Sequence, residues 1–180
     1  MRWDRLFDDL EAQAASDEAR DLHWEIADRT RRERALIDLH ARLLADVGTA
    51  LTVRLPGGPI EGILVDVGPD WVLLETPARR PVLIVLAAVR SVVGPGGRAV
   101  GPSPVARRFG LGAALRAVSR DRSTVELVDV DGGVTTGTVD VVGGDHLDLA
   151  EHPVEVPRRR ANVVAHHVVP FAAIAFIRRL

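Results

Sequence analysis

Hydrophobic and polar positions alternate along most of this chain, and the alternating series occurs twice. Leu51, Val53 and Leu55 recur at every second residue, the period of a strand with one face buried. Pro56-Gly57-Gly58-Pro59 then turns the chain, and Ile60 to Val67 supplies a second strand. Gly68-Pro69-Asp70 turns into a third strand at Trp71 to Glu75, and Val82 to Leu86 and Val89 to Val93 complete a set of five. The same series returns downstream. Gly62, Gly68 and Asp70 match Gly137, Gly143 and Asp145 at a constant offset of 75 residues. Val53, Gly57 and Gly58 match Val128, Gly132 and Gly133 at the same offset, and Leu86-Ala87-Ala88-Val89 matches Phe171-Ala172-Ala173-Ile174 after a ten-residue insertion. The second series predicts strands at 123–130, 134–142, 146–150, 163–170 and 174–178.

The first 47 residues follow a different period. Trp3, Leu6, Phe7 and Leu10 fall at i, i+3, i+4 and i+7, one stripe of an amphipathic helix. Ser16 before Asp17 and Glu18 reads as an N-cap with acids in the first turn. A second helix is expected to run toward Ala45, with Leu36, Leu39 and Leu43 apolar and a charged middle from Asp28 to Arg34, and Gly48 ends it. The pattern divides the chain into a helical segment (1–47), a β unit (48–94), a Gly/Pro linker (95–108) and a second β unit (109–180), which opens with a short helix from Leu111 to Arg116. The predicted fold class is mainly β with an N-terminal α segment: two tandem five-stranded small barrels, each strongly bent by its glycines.

Composition narrows the function classes. Apolar residues are 47% of the chain and aromatics 4%, so the cores must be built from aliphatic side chains. All 23 basic residues are Arg, and the net charge of −2 gives no global electrostatic attraction for nucleic acid. There is no Cys, hence no disulfide frame and no thiolate chemistry. Met1-Arg2-Trp3-Asp4-Arg5 soon turns acidic, unlike a signal peptide. No apolar run approaches the roughly 20 residues that span a bilayer. A cytoplasmic protein without membrane contact is the expectation.

A helix followed by five strands, a glycine inside strand 2 and a turn carrying Asp before an apolar strand 3 resembles the Sm-like family, bacterial Hfq in particular. The likeness covers roughly 48–94 and 110–179, through Gly62–Leu74 with Ala88–Val93 and Gly137–Leu149 with Ala173–Ile177. Other SH3-like small barrels share much of this pattern. The resemblance implies assembly by pairing of strand edges, as the family does in forming rings. It also implies RNA binding through polar residues in two turns, but here those positions hold Gly68, Val72, Leu86 and Ala87 in one series and Gly143, Leu147, Phe171 and Ala172 in the other. The family's RNA pocket is therefore not expected.

Other chemistry is sparse. His146, Asp148 and His152 are close in sequence, but a strand edge and turn explain them more simply than a metal site. His166 and His167 point to opposite faces of a strand. No nucleophile motif, phosphate loop or acid–base pair is present, so no catalytic residue, cofactor or metal is expected. The clearest signal is arginine in equivalent loops: Arg79 and Arg80 in the first series, Arg158, Arg159 and Arg160 in the second. Their guanidinium forks suit phosphate, and the competing reading is a solvated turn. Trp71 is expected to pack rather than stack on bases, and Trp3, Leu6, Phe7 and Leu10 are expected to anchor a protein partner. Two functions follow: a non-catalytic adaptor that associates with itself or a protein partner through strand edges and helices, or an RNA-binding protein whose arginine loops give weak, sequence-independent contacts.

Overall fold

Strands form where the alternation places them, and all ten join one sheet. The computed structural model describes residues 23–25, 27–32, 35–101 and 109–180. The Trp3, Leu6, Phe7 and Leu10 stripe, the Ser16 cap and residues 102–108 of the linker lie outside the described residues. The first series gives β1 (Ala50–Leu55), β2 (Gly58–Val67), β3 (Trp71–Glu75), β4 (Pro81–Val85) and β5 (Ser91–Val93). The second gives β6 (Thr124–Asp129), β7 (Val134–Val142), β8 (His146–Glu151), β9 (Ala165–Pro170) and β10 (Ile174–Arg179). Sheet order is β5-β1-β2-β3-β4-β10-β6-β7-β8-β9 with every pair antiparallel.

Each series keeps its five strands together in the same internal order. The sheet is nevertheless open: the two halves are not separately closed barrels, and they meet where β4 pairs with β10. The physical reason lies in these two strands. Val82 to Val85 and Ile174 to Ile177 are buried without a break, so each strand needs apolar cover on both faces and a paired edge. Val82 and Ile84 enter one core, with Leu64, Leu74 and Phe176, while Leu83 and Val85 enter a second core on the other face, with Leu115, Leu127 and Leu149. A helix covers the second strand of each half. Leu43 of α1 (Leu39–Ala45) and Leu115 of α2 (Leu111–Arg120) are fully buried in their respective cores.

The repeat holds at the level of geometry. β2 bulges between Leu64 and Asp66, and β7 bulges between Val139 and Val141, 75 residues on. Gly62 and Gly137 precede these bulges, and a Cβ there would lie 2.6 Å from the Glu75 carbonyl oxygen and 2.1 Å from that of Ala150. Gly137→Ala is therefore expected to lower the unfolding free energy by about 1–3 kcal/mol through forced backbone movement. Gly97→Ala, with nothing within 4 Å of the added carbon, should change it by less than about 0.5 kcal/mol. Denaturant titration of both variants checks this; equal midpoints would mean that β7 and β8 separate without strain.

Upstream of the hairpin turn the match slips. Leu51 faces Gly62 and Val125 faces Gly137, so β1 and β6 correspond at 74 residues rather than the 75 of the glycines. The first turn is Pro56-Gly57, whereas the second spends one more residue, Val130-Asp131-Gly132. A one-residue shift reverses which face each side chain occupies. Val128 accordingly points away from its own half's core and packs in the first core beside Phe176.

Residues up to Asp38 form a separate unit. Residues 23–25 and 27–32 are helical, with an Arg32–Asp28 ion pair of 2.5 Å one turn apart. The mid-helix arginines Arg29, Arg31 and Arg32 are solvent-facing, as the charged pattern predicts.

Candidate functional site

The turn before the third strand of each half is the best-defined polar feature, and the two copies have different partners. In the first half, Gly68 N–H donates to the Trp71 carbonyl at 2.9 Å and Leu86 N–H donates to the Asp70 carbonyl at 3.0 Å. The Trp71 ring lies over Gly68, where a Cβ would come within 2.2 Å of it. Thus glycine is required by close approach at this position. Trp71 Nε1 donates to the Phe109 carbonyl at 2.8 Å, and the Asp70 carboxylate accepts from Leu111 N–H at 2.8 Å. The start of α2 has Gly110 as its cap, with no side chain to offer, and Asp70 supplies the missing acceptor from 41 residues away. A turn Asp ordinarily bonds its local backbone; here its carboxylate is spent on joining the halves.

The second half repeats the turn without that partner. Gly143 N–H donates to the His146 carbonyl at 2.9 Å and Phe171 N–H to the Asp145 carbonyl at 2.7 Å. The His146 ring lies over Gly143 as the indole lies over Gly68. Asp145 is exposed, and its carboxylate is 2.8 Å from His146 Nδ1. The hydrogen bond and charge of His146 hold the Asp145 carboxyl below its usual range.

The arginine loops are surface features. Arg79 has a left-handed backbone (φ 55) stabilised by its N–H to the Thr76 carbonyl at 2.8 Å. It lines an open groove of about 640 Å³ together with Thr52, Glu61, Ile63, Glu75 and Val93. Arg80 borders a different, smaller hollow with Arg178. Arg158 is paired with Asp140, which also binds Arg122 at 3.2 Å. Arg159 and Arg160 are exposed in the inserted loop. The groove beside Arg79 carries two carboxylates and no residue of the 158–160 loop.

The histidines do not converge. His152 is buried, bonded to Thr138 Oγ1 at 2.9 Å and to the Pro153 carbonyl at 2.9 Å. His167 Nε2 meets Glu151 at 2.7 Å, while His166 is exposed on the other face. Among the described residues no group of three or more His, Asp or Glu is placed to hold a metal ion. None of their helices is long and apolar enough to cross a membrane. Val72 and Leu147, at positions where the Sm-like resemblance expects a base-binding polar residue, are core residues.

Among the described residues, two sheet edges have no paired strand, β5 and β9. Residues that matter there, Val92, Val93 and Val168, escaped the reading by residue type because aliphatic side chains carry no chemistry of their own. The signal was the repeat: each has a counterpart at the β4–β10 junction. Comparison with family models, curated proteins and solved structures finds no match.

Proposed function

We propose that the chain is a non-catalytic Sm-like assembly module that joins further copies of itself head to tail through β9 and β5. One observation carries this reading. Residues buried at the internal junction have exposed counterparts at the two free ends. Leu83 of β4 is 5% exposed; its counterpart in β9, Val168, is 69% exposed. Leu111 at the start of α2 is 3% exposed; Leu39 at the start of α1 is 42% exposed. Ile177, buried opposite Leu83, corresponds to the half-buried Val92 of β5. Copying the internal register sets Val168 of one copy against Val92 of the next, and Val169 against Ser91. An unpaired edge with apolar side chains is a template for such addition. The contact is heterologous, so repeated addition closes into a ring or continues as a filament. The N-terminal segment then remains as a second surface for a protein partner.

Light scattering on the purified chain tests the reading. Assemblies are expected in whole multiples of the chain mass, and Val168→Lys should reduce them to monomers, with circular dichroism unchanged. A monomer at every concentration, or assembly indifferent to Val168→Lys, would overturn it. The alternative is RNA held by Arg79, Arg80 and Arg158–Arg160, supported by the exposure of Arg159 and Arg160. It predicts a raised 260/280 absorbance ratio that a high-salt wash removes, because only phosphate contacts would carry the affinity.

A further inference from the structure

We infer that Arg54 of one copy pairs with Asp131, in the β6–β7 turn of the copy whose β9 it adjoins, so that the joined ends recognise each other by charge as well as by strand edge. The inference rests on the head-to-tail reading above. It comes from what that register does to residues beyond the edge strands. Within the chain, β10 and β6 follow β4, and Phe176 and Val128, paired on those two strands, pack into the first core. Near the β1–β2 turn that core is apolar. Leu55 is 4% exposed, and a Cβ on Gly57 in the turn would lie 3.1 Å from Val128 Cγ1.

Between copies, β5 and β1 of the next copy follow β9 in the same way. Arg54 pairs with Ser91 as Val128 pairs with Phe176, and Arg54 faces Pro59 as Val128 faces Val134. Arg54 therefore takes the place of Val128, beside the second core. There the counterpart of Leu55 is Asp129, and the counterpart of the Pro56-Gly57 turn is Val130-Asp131-Gly132. A valine over an apolar turn has been exchanged for an arginine over an acidic one. Both sides of the contact change together, and to opposite charges.

The acidic turn is formed before any partner arrives. Asp129 Oδ1 accepts from Asp131 N–H at 2.9 Å and from Gly133 N–H at 2.8 Å, which holds the turn closed. Asp131 and Arg54 are both exposed, and among the described residues neither has an ion-pair partner within the chain. Gly57 is itself exposed, so the equivalent contact between copies lies at the rim of the interface, where two long side chains have room. A rim charge pair contributes more to the choice of partner than to raw affinity. Joining β5 to β5 would bring together two ends that both carry Arg54, so the pair also favours head-to-tail order.

Sedimentation velocity at about 0.1 M salt tests the inference, with circular dichroism to confirm that each variant is folded. Arg54→Glu and Asp131→Arg are each expected to weaken association by about tenfold, the scale of one close charge pair at an interface. The two reversals together should return it to within about threefold of the unaltered chain. Arg54→Gln, which removes the charge with little change of shape, should weaken association less and lower its dependence on salt. Assembly indifferent to both reversals, a double reversal no better than the singles, or an unchanged salt dependence in Arg54→Gln would overturn this inference. If Val168→Lys still gives monomers in that case, the head-to-tail reading stands. No assembly of the unaltered chain at any concentration would overturn both.

Discussion

Phe176→Ala is expected to destabilise the whole of residues 39–180 by about 3–5 kcal/mol, the usual cost of removing a buried aromatic ring from a packed core. Phe176 belongs to β10, the last strand of the second half, yet its ring lies in the core of the first. It faces Ile84 across the β4–β10 ladder and Val128 across the β10–β6 ladder. A Cβ on Gly57 would lie 3.7 Å from the ring, so the hairpin turn of the first half also rests near it. The cavity left by truncation would be walled by both halves, and neither can collapse alone to fill it. Urea titration followed by circular dichroism should show one transition moved to lower denaturant. Val164→Ala, at a position 73% exposed, should move the midpoint by no more than about 0.5 kcal/mol. Two separate transitions in Phe176→Ala would mean that the halves fold independently and that the shared ladder adds little.

Much of this arrangement was legible in the sequence, and the illegible part has physical causes. The matched glycines located the bulges of β2 and β7 because only glycine tolerates a carbonyl at that distance. Alternation located the strands. It did not reveal the junction, because Val82–Val85 and Ile174–Ile177 are continuous apolar runs. Such a run reports burial on both faces but is silent about which strand pairs with it. The slip between β1 and β6 was hidden as well. Val53 and Val128 match in sequence, yet one extra turn residue rotates Val128 into the opposite core. Arginine loops were legible as exposed turns. The role of Asp70 was not, because its partner is the backbone of Leu111, and a backbone N–H leaves no mark in a sequence.

Trp71→Ala is the second large effect expected, again about 3–5 kcal/mol. The ring is 8% exposed and packs in the second core, whereas the flanking Val72 and Leu74 face the first. Truncation removes its buried apolar area, leaves the Phe109 carbonyl without the indole donor and uncovers Gly68. Trp71→Phe separates these terms. It retains most of the packing and loses the hydrogen bond, so it should cost about 1 kcal/mol. Asp70→Ala should cost about 0.5–2 kcal/mol, the range for losing a helix cap. Because Asp70 and Trp71 grip adjacent parts of one segment, the double variant is expected to fall short of the sum of the singles by at least about 0.5 kcal/mol, as is usual for residues sharing a partner. Once the segment before α2 has come loose through either change, the other contact has little left to hold. Thermal and denaturant unfolding of the four proteins would complete the cycle. Strict additivity would show that Asp70 caps α2 independently of the indole, and that the two residues do not act as one clamp.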